Sequence, residues 1–355
     1  MRLIRGTLAA SVRNSVGTEM AYARLSMFSV RTCLIALIGA LSLAAPSSIA
    51  QTPVDQLVSG VVRIKAFINP DGRTIGSLGS ERSGTGIVLD SDGLVLTIGY
   101  LMVEAHAGEI VLNDGRQVGA EIVGYDYDTG FGLLRATAPL NVRPVPLGSS
   151  EALKAGDKVL VALGGGAERL GPASIAAKRE FAGYWEYLLS EAIFTTPPYQ
   201  DWSGAALINR EGRLVGVGSL VVGDASGTGA GTPGNMFVPI DLLPPILGDL
   251  MAGAAGAGRA KPWLGLTTDE KGATLVVRRA TEAGPADKAG IKAGDRIVGI
   301  GEERPRSLAE LYRAIWARGE AGVVVPVLVE RDGSRQTINV QSVNRRDHLR
   351  LNSSL

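Results

Sequence analysis

Few side chains in this 355-residue sequence could carry covalent or acid–base chemistry. Ser203 is the first of them, set in Asp201-Trp202-Ser203-Gly204-Ala205-Ala206-Leu207, a turn of small residues that leads into an apolar stretch. A serine hydroxyl is a poor nucleophile near neutral pH and acts only when a neighbouring base takes its proton. The sequence offers two histidines for that role, His106 and His348. Its single cysteine, Cys33, lies in an N-terminal apolar run. The rest of the chain therefore forms no disulfide, no Cys–His metal site and no thiol nucleophile. Two histidines are also too few for a histidine-rich metal site, and no metal or other cofactor is expected. Leu163-Gly164-Gly165-Gly166 lacks the Lys-Ser/Thr of a phosphate-binding loop and reads as a turn.

The elements around Ser203 are short and mostly extended. Apolar stretches recur at Gly86–Leu89, Leu94–Thr97, Glu109–Leu112, Ala120–Gly124, Phe131–Leu134, Val159–Leu163, Ala192–Thr195, Ala205–Ile208 and Leu214–Val222. Between them, Asp92-Gly93, Asn113-Asp114-Gly115 and Glu211-Gly212 have the composition of hairpin turns. Strands at this spacing predict a β-barrel or sandwich. The first helical pattern is Pro239–Ala252, which closes this unit. Residues 251–261 are rich in Ala and Gly, too small-sided to build a core, and read as a linker.

A second unit follows. Leu275–Arg279 and Arg296–Ile300 read as strands, with a short helix opening at Gly284-Pro285 between them. Ser307 and Glu310 form a capping-box signature. Leu308, Leu311, Tyr312, Ile315 and Trp316 then fall on one helical face. Val323–Val329, a turn at Asp332-Gly333 and Gln336–Val340 complete it.

Composition narrows the function classes. The chain is 45% hydrophobic and 20% charged, with a formal net charge of +1, as expected of a globular protein. Near-neutrality gives no reason to expect nucleic acid or an anionic membrane as partner. At the N-terminus, Arg24 and Arg31 precede the apolar run Cys33–Ala45, and Ser48-Ile49-Ala50 supplies small residues before Gln51. This is the pattern of an export signal, with residues 1–26 as an extension upstream of a start at Met27. A retained membrane anchor is the alternative, but the apolar run falls short of the roughly 20 residues that span a bilayer.

Several motifs together carry a resemblance to a known family. They are Ser83-Gly84-Thr85-Gly86-Ile87-Val88-Leu89 with Asp92-Gly93-Leu94-Val95-Leu96-Thr97, Leu147-Gly148-Ser149-Ser150 with Gly156-Asp157-Lys158-Val159, the Ser203 turn, and Trp263-Leu264-Gly265-Leu266. In this order they resemble the HtrA/Deg proteases, and the similarity covers most of residues 80–343. The resemblance implies a mainly β chain: a trypsin-like double β-barrel followed by a small α+β PDZ domain, exported to the bacterial periplasm. The corresponding division is 1–50 signal peptide and upstream extension, 51–79 N-terminal segment, 80–250 trypsin-like protease-fold domain, 251–261 linker, 262–343 PDZ domain and 344–355 tail.

The same resemblance shows what is missing. The family's catalytic His follows a lead-in that here is Leu96-Thr97-Ile98-Gly99, and the next residue is Tyr100; a one-residue slip gives Leu101. Its catalytic Asp follows a pattern matched by Asp126-Tyr127-Asp128-Thr129, and the next residue is Gly130. Ser203 keeps the nucleophile position, with Asp201-Trp202 where the family has Gly-Asn and Ala205-Ala206 where it has Gly-Pro. Loss of the base from such a set costs on the order of 10⁴–10⁶ in rate. Tyr100 is a poor substitute, because a phenol with pKa about 10 is protonated at neutral pH. His106, expected on a loop, is the one residue that could rescue an active serine endopeptidase with a non-standard base. Asp126 and Asp128 are expected to shape a turn.

In the second unit, Trp263, Leu264, Gly265 and Leu266 resemble the loop whose N–H groups hold a peptide's terminal carboxylate. Leu264, Leu266, Leu311 and Ile315 are candidates for the pocket of its last side chain, although part of that helix face must be core. The expected function is a protein- or peptide-binding or regulatory factor in envelope protein quality control, with an inactive protease domain. Its expected partners are C-terminal or unfolded polypeptide segments. The resemblance also implies a homotrimer or a hetero-assembly with an active homologue.

Overall fold

The computed structural model describes residues 53–252 and 260–351. The export signal, Cys33 and most of the linker lie outside these residues. Six antiparallel strands close a first barrel: β1 (Val61–Ile68), β2 (Glu81–Val88), β3 (Leu94–Ile98), β4 (Ala105–Val111), β5 (Gln117–Tyr125) and β6 (Phe131–Ala136), ordered β1-β2-β3-β6-β5-β4. Six more close a second: β7 (Lys158–Ala162), β8 (Leu170–Gly183), β9 (Tyr187–Thr196), β10 (Ala206–Ile208), β11 (Leu214–Val222) and β12 (Gly234–Pro239), ordered β10-β11-β12-β9-β8-β7. A five-stranded sheet follows in sequence order, β13 (Leu266–Lys271), β14 (Thr274–Ala280), β15 (Arg296–Ile300), β16 (Val324–Arg331) and β17 (Ser334–Gln341). The helices are short: α1 (Pro53–Val58), α2 (Ile75–Leu78), α3 (Leu247–Met251), α4 (Pro285–Lys288) and α5 (Leu308–Trp316).

Apolar side chains from both barrels merge into one core, in which Ile64, Leu96, Phe131 and Leu133 join Phe194, Val217 and Met236. A second cluster inside the β7–β12 barrel contains Val161, Ile193, Leu207 and Phe237. Burial of each such side chain stabilises the fold by about 1.5–3 kcal/mol, which suits a chain with no disulfide among its described residues. Leu275, Ile297, Tyr312 and Val327 anchor a separate core under α5. That helix starts at Ser307, whose Oγ accepts from the Glu310 N–H at 3.2 Å. The reciprocal bond is shifted by one residue, since Glu310 Oε2 accepts from the Arg306 N–H at 2.7 Å.

Three expectations need correction. The segment 51–79 is not outside the barrel: β1 pairs with both β2 and β4, and its Val62, Ile64 and Ala66 point into the core. The helix expected over Pro239–Ala252 is largely absent, because Pro239 ends β12 and only Leu247–Met251 is α-helical. Pro244-Pro245 interrupts it, as proline lacks the N–H a helix interior needs and disfavours helical backbone before it. His106 lies in strand β4 rather than on a loop, and its side chain is exposed.

Candidate active site

Ser203 lies in the turn between β9 and β10, at the junction of the two barrels. Its carbonyl accepts from the Thr85 N–H at 2.8 Å, which ties the turn to β2 of the other barrel. Gly204 follows with φ 77° and donates its N–H to Gly218 O at 2.9 Å. A Cβ at Gly204 would overlap the Thr85 carbonyl oxygen, so close barrel contact and backbone conformation both require glycine there.

Tyr100 comes from the turn Gly99–Leu101, which follows β3. Its hydroxyl reaches Ser203 Oγ at 2.7 Å and shares its proton with the Ser219 carbonyl at 3.0 Å. Burial is the main reason the phenol is pushed up to about 12; its contact with Ser203 opposes the shift. The Tyr100 phenol is thus protonated over the neutral range and stands hydrogen-bonded to the serine rather than as an anionic base beside it. The Tyr100 carbonyl is fixed by Arg82 Nη1 at 2.8 Å. Arg82 is itself buried, which lowers its pKa to about 10, with the Glu104 carboxylate opposing.

Gly130 adjoins this turn, its carbonyl accepting from the Gly99 N–H at 2.7 Å. It holds φ 82°, and a Cβ placed on it would lie 3.1 Å from the Tyr187 hydroxyl. That hydroxyl donates to the Thr129 carbonyl at 2.7 Å, so an aromatic ring stands beside Gly130. Asp126 accepts from the N–H and Oγ1 of Thr129 at 2.7 and 2.8 Å, closing a tight turn. Burial raises its pKa, while the Thr129 bonds oppose that shift. Asp128 pairs with Lys261 at 3.0 Å on the surface.

Tyr100, Ser203 and Gly130 are therefore brought together, whereas the histidines are not. A cleft of about 440 Å³ opens beside Ser203, lined by Arg63, Lys65, Ser83, Thr85, Arg169 and Asp201 among others; neither His106 nor His348 contributes to it. Arg169 and Asp201 form an ion pair of 2.6 Å along its wall. His348 packs its ring against Trp263, 4.9 Å between centroids, and sits 3.2 Å from Arg73 Nη1. Burial, aided by the Arg73 charge, lowers its pKa.

Trp263-Leu264-Gly265-Leu266 forms the approach to β13, with Leu264 and Leu266 buried. Leu311 and Ile315 are fully buried in the core beneath α5. The loop's N–H groups already have a partner: Glu186, from the turn between β8 and β9, accepts from Leu264 N at 3.1 Å and from Leu266 N at 2.8 Å. Burial raises the pKa of this carboxyl, with the loop N–H groups and the Arg345 charge opposing. Neither Glu186 nor Tyr187 was singled out by sequence reasoning. The available signal was Tyr184-Trp185-Glu186-Tyr187, three aromatic residues in four positions of a chain that is only 5% aromatic.

Comparison with known proteins agrees with these architectures. A trypsin-like peptidase domain model matches residues 84–217, and a PDZ domain model matches residues 262–341. The periplasmic pH-dependent serine endoprotease DegQ of Escherichia coli K12 is 28% identical over 274 residues, covering 73% of this chain and 59% of that protein. The periplasmic serine endoprotease DegP of the same organism is 27% identical over 277 residues, covering 73% and 56%. The chain thus spans less than two thirds of the length of these two curated relatives. Among solved structures, the HtrA-type protease AlgW with decapeptide aligns at TM-score 0.47 and 18% identity, covering 83% of this chain and 99% of that one. The serine endoprotease from Yersinia pestis aligns at TM-score 0.47 and 22% identity, covering 82% and 98%. The chain carries a trypsin-like peptidase domain followed by a PDZ domain, and the DegP and DegQ periplasmic serine endoproteases are among its homologues.

Proposed function

We propose that this chain is an exported, peptide-binding relative of the periplasmic endoproteases in which the peptidase domain is a scaffold without hydrolytic chemistry. The observation that carries this reading is the Tyr100 hydroxyl, 2.7 Å from Ser203 Oγ in the place where a base would have to stand. A phenol raised to about 12 donates a hydrogen bond and leaves the serine proton where it is. Gly130 supplies no carboxylate, and Asp126 is committed to its own turn. Activity therefore falls to the PDZ unit, which takes C-terminal or unfolded polypeptide segments along β13, with the loop Trp263–Leu266 as the carboxylate site. Export to the periplasm is supported by the N-terminal sequence pattern and by the relatives' location. The chain acts there as a regulatory or binding factor in protein quality control, as a homo-oligomer or joined to an active homologue.

The test is covalent labelling. Purified protein incubated with a fluorophosphonate probe and with casein is expected to show neither modification of Ser203 nor cleavage. Casein cleavage by the wild type that disappears in Ser203→Ala would overturn the reading and establish an endopeptidase with an unorthodox base.

A further inference from the structure

The β8–β9 hairpin meets the PDZ unit in the geometry expected of a bound peptide. Peptides that add to a sheet edge contribute main-chain hydrogen bonds, and terminal carboxylates are held by a nest of backbone N–H groups. Both features are present within one chain. The two carboxylate oxygens of Glu186 take the N–H groups of Leu264 and Leu266, at 3.1 and 2.8 Å. Two residues earlier, the Tyr184 carbonyl accepts from the Thr268 N–H of β13 at 3.0 Å. On the opposite side, the Tyr312 hydroxyl of α5 donates to the Gly183 carbonyl at 2.6 Å. The segment 183–186 therefore runs between β13 and α5, where a strand added to the edge would lie. Ala182 and Leu188 pack against the PDZ core at either end of it.

The local backbone is shaped for this contact. Glu186 holds φ 59°, a left-handed conformation that residues bearing a Cβ seldom adopt and that persists only where the surroundings fix it. Trp185 stacks on Tyr187 with 5.5 Å between centroids, which braces the turn from behind. Glu186 is only 8% exposed, and its two oxygens are spent on the loop rather than on solvent.

We propose that the Tyr184–Glu186 turn is an internal ligand of the PDZ groove, its glutamate side chain standing in for a terminal carboxylate, and that peptides with free C-termini must displace it. The ligand class of the groove is thereby extended to internal turns that present an acidic side chain two residues after a strand-pairing carbonyl. The displacement half of this inference rests on the peptide-binding reading above; the internal contact does not. A tethered segment presents itself at about millimolar effective concentration, so an outside competitor loses apparent affinity in proportion.

The experiment uses the full chain in three forms: wild type, Glu186→Gln and Glu186→Gly, the last of which tolerates the positive φ and guards against misfolding. Amide hydrogen exchange at Leu264, Leu266 and Thr268 is the first readout. Protection is expected to fall by about tenfold or more in Glu186→Gly, with a smaller fall in Glu186→Gln, because a lost charged acceptor weakens each bond. Unchanged protection would overturn the internal contact. The second readout is binding of a fluorescein-labelled decapeptide with an apolar, free C-terminal residue, and of its C-terminal amide as control. Tighter binding of the free acid to Glu186→Gly by about tenfold, with no gain for the amide, supports displacement. Equal affinity for wild type and variant overturns displacement while leaving peptide binding intact. If exchange protection falls and no form binds the peptide, the peptide-binding reading fails and the internal contact stands.

Discussion

Rebuilding the triad tests how firmly the chain has left hydrolysis behind. Tyr100→His puts an imidazole beside Ser203 but leaves it unoriented. A full triad is worth about 10⁶ in kcat and its carboxylate about 10⁴ of that, so the imidazole alone should recover about 10²-fold over wild type. Gly130→Asp is the obvious second step, and it should add little. Position 130 holds φ 82°, where a side chain costs about 1–2 kcal/mol. Its Cβ would come within 3.1 Å of the Tyr187 hydroxyl, which is bonded to Thr129 O at 2.7 Å. Displacing that bond costs about 1 kcal/mol more. Together, at about 2–3 kcal/mol, these place the carboxylate correctly in only about one molecule in thirty to one in 160, since each 1.36 kcal/mol is about tenfold. Adding Tyr187→Phe removes the obstructing oxygen and leaves the ring carbon at an ordinary 3.6 Å. The triple variant should therefore outpace the double by about fivefold, the roughly 1 kcal/mol that the displaced bond costs. Rates of fluorophosphonate modification, followed by intact mass, give the comparison directly. Equal rates for double and triple variants would show that Tyr187 does not guard the slot. A wild-type rate matching Tyr100→His would show that the phenol is not what idles Ser203.

Two further outcomes follow from contacts around the site. Gly204→Ala should destabilise the protein by about 3 kcal/mol, from left-handed backbone plus overlap with the Thr85 carbonyl, read as a lower urea midpoint. Glu104, although burial opposes its ionisation, is held below the ordinary carboxylate range by bonds from Arg350 N, Thr74 Oγ1, Thr74 N and Arg73 N. A depressed carboxyl contributes stability that is present above its unfolded pKa of about 4.5 and is lost as pH falls through the lower folded value. Acidification below that range, or Glu104→Gln at neutral pH, should lower the protection factor of the Arg350 amide relative to its intrinsic exchange rate at the same pH, at the point where the tail joins this carboxylate; an unchanged protection factor would refute the coupling.

The strands were legible wherever a short apolar run lies between Gly-containing turns, as at Leu94–Thr97 and Phe131–Leu134, because both faces of these strands are buried. β1 instead alternates, with Val62, Ile64 and Ala66 buried and Arg63 and Lys65 between them, and that broken apolar run, with the distance from the recognised motifs, kept β1 out of the barrel. β8 was hidden by its own composition: Lys178-Arg179-Glu180 is polar, and the strand changes register twice against β9. At the site, the sequence placed Tyr100, Gly130 and Ser203 through matched patterns, while the distances among them come only from the closed barrels. Tyr187 was not legible, because filling the space beside Gly130 depends on a strand from the other barrel. Glu186 was not legible for the same reason, since its partners lie some eighty positions further along the chain.

Both barrels close on themselves, so open sheet edges among the described strands are left to β13 and β17. A bare edge offers unpaired N–H and C=O groups to any neighbouring molecule, which is how strand-by-strand association begins. Here the outer side of β13 is shielded by the chain's own hairpin at Leu266 and Thr268. β17 is instead strewn with polar side chains such as Arg335 and Gln336. The hairpin is thus also a chaperone of its own sheet, and whatever draws it away exposes a surface that a second molecule can extend.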